Sequence, residues 1–210
     1  MSALFIKICG ITTEEAVAAA LEAGADAIGF VFAESKRQVT PLRANELAKP
    51  ARGKVKCVAV TRHPNQRNVD EILSLFSPDV FQTDAEDFAA LTLPVAVERL
   101  PVVRAGGAEP QPLPARVLFE GPVSGTGITA DWNAARKLAQ RTHLILAGGL
   151  SPENVAQAIT EVHPFGVDVS SGVEQSPGSK SPEKIARFVR SARAASRSLN
   201  ETLRAKENAS

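Results

Sequence analysis

Short apolar runs recur along the chain, each followed by a segment whose apolar residues return every three or four positions. The runs are Phe5 to Cys9, Ala27 to Phe32, Lys56 to Thr61, Val80 to Thr83, Val95 to Leu100, Arg116 to Phe119, His143 to Ala147 and Gly166 to Val169. Most are apolar at nearly every position, as expected of parallel strands covered on both faces. Between the last two, Val155, Ala158, Ile159 and Val162 fall at i, i+3, i+4, i+7 and form one stripe of a helix. Ile185, Phe188, Val189 and Ala192 repeat that spacing, as do Val69, Ile72, Leu73 and Phe76. Thr40-Pro41, Ser151-Pro152 and Ser181-Pro182 each put a capping hydroxyl before a proline at the first helical position. Thr12 with Glu15 fits a capping box, and Gly24 fits the glycine that closes that helix.

Strand alternating with helix predicts an α/β protein with a parallel sheet. Eight strands and about seven helices in 210 residues fit a small closed (β/α)8 TIM barrel better than an open sheet, which would use fewer strands. The stretch Arg104 to Ala115 is rich in proline and glycine, so a loop is expected in place of the fifth helix. Residues 1–195 read as a single barrel domain and residues 196–210 as a polar, frayed tail.

A formal net charge of +1 supplies no bulk field for nucleic acid or an anionic membrane, so an anionic ligand would need a local site. Nor is there a basic stripe interleaved with aromatics, and a nucleic-acid partner fits worst. No apolar run approaches the roughly 20 residues of a membrane span. The chain enters its first strand without a signal-peptide pattern, and Cys9 and Cys57 lie too far apart in sequence to read as a disulfide framework. A reduced, cytoplasmic protein acting on a small molecule is the expectation, as a monomer or a homodimer. Its three histidines, His63, His143 and His163, make no convincing metal cluster with cysteine or aspartate, so no metal is expected.

In such a barrel the chemistry sits at the carboxyl ends of the strands. The seventh strand ends in Ala147-Gly148-Gly149, and the eighth runs through Asp168 into Ser170-Ser171-Gly172-Val173-Glu174. Glycines there let backbone N–H groups approach a ligand, and a short helix starting near Gly172 would aim its positive end at a phosphate. The plainer alternative is a pair of tight turns against the barrel rim. Cys9 closes the first strand. Alternation puts it with Lys7, opposite Ile6 and Ile8, so it points to the barrel mouth if the isoleucines meet the helices. A buried cysteine is more often a small hydrophobe; to act as a base it needs local positive potential. Cys57 reads as core.

Several motifs together resemble one family. Lys7-Ile8-Cys9-Gly10-Ile11-Thr12, Gly29-Phe30-Val31-Phe32 with Ser35-Lys36-Arg37, and Gly125-Thr126-Gly127 before Asp131-Trp132 are similar to phosphoribosylanthranilate isomerases. So are Gly148-Gly149-Leu150, Glu153-Asn154-Val155 and Val167 to Glu174, all in order over nearly the whole chain. The resemblance implies the Amadori rearrangement of N-(5′-phosphoribosyl)anthranilate, a step of tryptophan biosynthesis, with no cofactor. It makes Cys9 the general base, places Arg37 at the anthranilate carboxylate and Asp168 near the sugar hydroxyls, and puts phosphate at Gly148, Gly149, Ser171 and Gly172. The plainer alternatives are a solvated loop charge for Arg37 and an ion-pair partner of Lys7 for Asp168.

Two positions depart from the family pattern. Its general acid is an aspartate ending the sixth strand, where this chain has Glu120; the acid group is the same, but an extra methylene can misplace the proton. After the fourth strand the family often has Gln-Leu-His-Gly, whereas this chain reads Gln82-Thr83-Asp84-Ala85. Gln82 is therefore kept as a substrate-binding residue, and Asp84 serves as a helix cap or replaces a lost polar contact. The departures also support an alternative, a non-catalytic sugar-phosphate-binding barrel derived from the enzyme. Another sugar-phosphate isomerase or epimerase on the same fold is a further alternative.

Overall fold

The computed structural model of the chain describes residues 3–121 and 131–207. Eight parallel strands close into a barrel in sequence order. They are β1 (Phe5–Cys9), β2 (Ala27–Val31), β3 (Lys56–Val60), β4 (Val80–Asp84), β5 (Glu98–Arg104), β6 (Arg116–Glu120), β7 (His143–Leu146) and β8 (Gly166–Val169). The outer shell holds α1 (Glu14–Ala23), α2 (Pro41–Ala48), α3 (Gln66–Phe76), α4 (Trp132–Ala139), α5 (Val155–Val162) and α6 (Pro182–Glu207). After β8 a small antiparallel hairpin, β9 (Glu174–Ser176) and β10 (Ser179–Lys180), folds back over the rim.

Alternation along each strand divides the apolar residues between two cores. Ala27, Val58, Val80, Leu100, Val102, Leu118, Ile145 and Ala147 fill the barrel interior. Ile6, Ile8, Ile28, Ala59, Phe81 and Val167 face outward onto the helices. The barrel is thus a packed core. Its lower end is closed by Phe165, whose ring stacks on His143 at 4.8 Å and on Phe5 at 6.0 Å, with the Arg116 guanidinium over it at 4.8 Å.

The expected loop between β5 and β6 contains no helix, and β4 is followed only by a 3-10 turn over Ala85–Ala89. β5 itself begins at Glu98 and runs through Pro101 to Arg104, later than the Val95-to-Leu100 reading. Val95 is fully exposed, and the proline is accommodated because paired register with β6 starts only at Val102. Four N-terminal caps also move or hold. Thr13, one residue later than expected, accepts from Ala16 N to cap α1, which Gly24 closes in the left-handed region. At α5 the Ser151 hydroxyl accepts from Glu153 N, but the helix starts only at Val155. Thr40 and Ser181 cap as their prolines indicate. The segment from Ser196, set apart above as a frayed tail, continues α6, because Ala195 and Leu199 extend the Ala192 stripe onto the barrel.

Candidate active site

A cavity of about 700 Å³ opens at the carboxyl ends of the strands. Cys9, Arg37, Gln82, Glu120, Asp168 and Ser171 all line it, so six residues from five separate stretches of sequence meet there. Gly148, Gly149 and Gly172 are not among its walls; they close β7 and β8 beside Ser171. Gly148 and Gly149 have φ of +85° and +66°. A 3-10 turn starts at Ser171, and Gly172 packs so closely that a Cβ there would lie 2.0 Å from the Leu150 carbonyl oxygen. The Gly125 to Gly127 loop lies outside the described residues.

Ile6 and Ile8 are wholly buried against the helices, which turns Lys7 and Cys9 inward as alternation requires. Lys7 Nζ donates to Asp168 Oδ1 at 2.8 Å. Asp168 is therefore both the ion-pair partner of Lys7 and a wall of the cavity. Burial alone would discharge Lys7, but the Asp168 carboxylate beside it wins and raises its pKa. The positive potential asked of Cys9 is present but loses. Burial pushes the thiol above its ordinary value, against the pull of Lys7 and Lys180 and with some help from Asp168. Cys57 is buried in the shell and pushed up to about 11, again by burial, in keeping with a core role.

Arg37 is not a solvated loop charge. Its Nε and Nη2 donate to the two oxygens of Glu174 at 2.6 and 3.0 Å. It reaches there across Gly10, whose φ is +76° and whose Cβ, had it one, would lie 2.6 Å from Arg37 Cδ. Glu174 also accepts from Lys180 Nζ at 2.9 Å and from Gly178 N at 3.2 Å. Burial would raise its pKa, but these donors, Arg37 first, hold it down at about 2. Glu174 and Lys180 were missed as functional residues. Glu174 stood inside a quoted motif, but its partner lies 137 positions away, and no local spacing announces such a pair.

Across the mouth, Arg104 at the end of β5 bridges Asp84 Oδ1 at 2.7 Å and Glu120 Oε1 at 2.6 Å. Asp84 is no helix cap, since its side chain makes no capping bond to the turn that follows. His63 lies 3.5 Å from Asp84 and 3.0 Å from Asp87, a gathering that the histidine spacing did not foretell. The Asp87 hydrogen bond raises the His63 pKa above its ordinary value. Gln82 is buried, and its Oε1 has no hydrogen-bond partner among the described residues. An unpaired acceptor in a cavity wall is a place for a ligand donor.

The family model described as N-(5'phosphoribosyl)anthranilate (PRA) isomerase matches residues 6–191. An N-(5'-phosphoribosyl)anthranilate isomerase of Rhizobium rhizogenes is 39% identical over 202 residues, covering 87% of this chain and 91% of its own. One from Streptococcus pneumoniae is 42% identical over 186 residues, covering 88% and 93%. Among solved structures, the phosphoribosyl anthranilate isomerase of Thermus thermophilus aligns with a TM-score of 0.79 at 30% identity, covering 92% of this chain and 99% of that one. Another, in complex with reduced 1-(o-carboxyphenylamino)-1-deoxyribulose 5-phosphate, aligns at 0.75 with 29% identity, covering 91% and 99%.

Proposed function

The chain belongs to the N-(5′-phosphoribosyl)anthranilate isomerase family, and we propose that it carries out the family's reaction between Cys9 as base and Glu120 as acid. It is an isomerase of tryptophan biosynthesis that converts N-(5′-phosphoribosyl)anthranilate to 1-(2-carboxyphenylamino)-1-deoxyribulose 5-phosphate. Glu120 protonates the furanose ring oxygen, the C1′–O bond breaks, and the anilino nitrogen lone pair forms the iminium ion. Cys9 then takes the C2′ proton to give the enolamine, which gains a proton at C1′ as its 2′-hydroxyl loses one and becomes the ketone. Both groups must reach opposite ends of one short segment. The observation that carries this reading is that Cys9 on β1 and Glu120 on β6 open into one cavity.

Ring opening comes first, because the C2′ proton is acidified only once the iminium has formed. Cys9 acts only as the thiolate: its proton leaves to solvent through the open mouth, and the iminium cation formed by the acid step then offsets the burial that disfavours the charged form. Acid chemistry therefore prepares the base. Arg37, with two of its donors fixed on Glu174, presents the rest of its guanidinium to the anthranilate carboxylate. Asp168 and the unpaired Gln82 oxygen serve the sugar hydroxyls or the anilino N–H. Backbone N–H groups at Gly148, Gly149, Ser171 and Gly172 take the phosphate, where Gly172 leaves the two loops touching. No described helix is long and apolar enough to cross a membrane. The free thiols of Cys9 and Cys57 fit a reducing cytoplasm.

The test is steady-state turnover of freshly generated phosphoribosylanthranilate, followed by loss of anthranilate-type fluorescence, for wild type, Cys9→Ser and Glu120→Gln. The expected result is activity in the wild type and a loss of about 10²–10⁴-fold in each variant with the fold intact. Wild-type binding of a product analogue without turnover would instead favour the non-catalytic sugar-phosphate-binding barrel.

A further inference from the structure

The half of the mouth built by β4, β5 and β6 contains an ion-paired unit of which the reaction steps above use only Glu120. Asp84, Arg104 and Glu120 are the last residues of three adjacent strands. In register, Arg104 stands beside Glu120, and Asp84 stands beside Val102, two residues before Arg104 on the same strand. One guanidinium thus lies between two carboxylates, with Nη2 on Asp84 Oδ1 and Nη1 on Glu120 Oε1. A planar, forked cation fixes both partners in direction as well as distance.

The two carboxylates are held differently. Asp84 is 2% exposed, and its Oδ2, with His63 Nε2 at 3.5 Å, has no hydrogen-bond partner among the described residues. A carboxylate buried this deeply depends on its ion pair, and losing that pair would leave an uncompensated charge. Asp84 therefore anchors Arg104. Glu120 sits in the cavity wall, on a side chain with one more rotatable bond than an aspartate. Each such bond adds positions that a proton donor can take, and an error of about 1 Å can cost about a hundredfold in rate. We propose that the Asp84–Arg104 pair is a positioning element for Glu120, holding the longer acid at one depth in the mouth. The two departures from the family pattern, at positions 84 and 120, are then one device joined through Arg104. This rests on Glu120 being the acid.

The experiment measures kcat and KM for phosphoribosylanthranilate in Asp84→Asn, Glu120→Gln and the double variant, with Arg104→Lys as a second way to weaken the fork. Asp84→Asn keeps the shape and removes the anchoring charge. It should lower kcat about tenfold with KM within about twofold, because a group acting only in the transition state moves kcat alone. It should add no further loss in the Glu120→Gln background. Arg104→Lys, which replaces two directed prongs by one point charge, should lower kcat similarly, and it carries the same reading if Asp84→Asn fails to fold. Wild-type kcat in the Asp84 and Arg104 variants, with Glu120→Gln inactive, would overturn the positioning role and leave the acid in place. An equal loss with and without Glu120 would also overturn it. Near-wild-type turnover by Glu120→Gln would remove the acid assignment, and the positioning role with it.

Discussion

On the β8–β1 side of the mouth, Lys7, Arg37 and Lys180 meet Asp168 and Glu174; on the β4–β6 side, Arg104 and His63 meet Asp84, Asp87 and Glu120. The first group has one more cation than carboxylates, and the second has one more carboxylate than cations. The first is also enclosed. The Lys7 and Lys180 side chains are wholly buried, whereas Arg104 is 23% exposed and Glu120 15%. The division matches the work assigned to each side. Excess positive charge on the first side suits a thiolate and an anionic substrate, and on the second Arg104 fixes the direction of the Glu120 side chain.

Breaking the enclosed side should have the largest effect. Glu174→Gln leaves Arg37 and Lys180 facing a neutral amide, and the cost expected for breaking a buried pair is about 3–5 kcal/mol, read from urea unfolding. The pH dependence follows from the sign of the shift. The Glu174 pKa is depressed from 4.5 to about 2, so its stabilisation is complete above the ordinary value and fades as pH falls through about 2. The wild-type urea midpoint should fall across that window, and this component should be missing in Glu174→Gln.

Next in size is Gly172→Ala. Its Cβ would collide with the Leu150 carbonyl and force apart the two loops assigned to phosphate. The overpacking should cost about 1–3 kcal/mol of stability, and the displaced loops should raise KM, measured against substrate concentration. A smaller effect concerns pH. Because burial raises the Cys9 pKa in the free protein, kcat/KM should still be climbing at and above the ordinary thiol value. The climb in kcat, which reports the complex, should come at lower pH. Coincident profiles would show that the iminium does not assist the thiolate. Arg43→Ala is the control away from both sides, since its contacts to Glu14 and Glu46 are exposed. Stability and turnover should stay unchanged within error.

The comparison also separates what could be read from sequence from what could not. Alternation in β1 was enough to turn Cys9 and Lys7 inward, because period-2 geometry is local. The Lys7–Asp168 pair was legible for the same reason, with both residues on inward positions of strands that the barrel makes neighbours. The partners of Arg37 and Glu120 were not, since closure of the sheet brings them together and residue spacing does not record it. β5 runs from Glu98 to Arg104 rather than over the Val95-to-Leu100 run, because Pro101 is tolerated where pairing with β6 has not yet begun. The last turns of α6 were read as a tail because their polar residues outnumber the single stripe that seats them.

The central claim, that the β4–β6 side supplies the acid and the β8–β1 side the base, is tested most directly with substrate deuterated at C2′. In Cys9→Ser, removal of the C2′ hydrogen limits the rate, and the label should slow turnover strongly. In Glu120→Gln, ring opening comes first and limits the rate, so the label should have almost no effect. A strong isotope effect in Glu120→Gln with none in Cys9→Ser would contradict this division of the mouth.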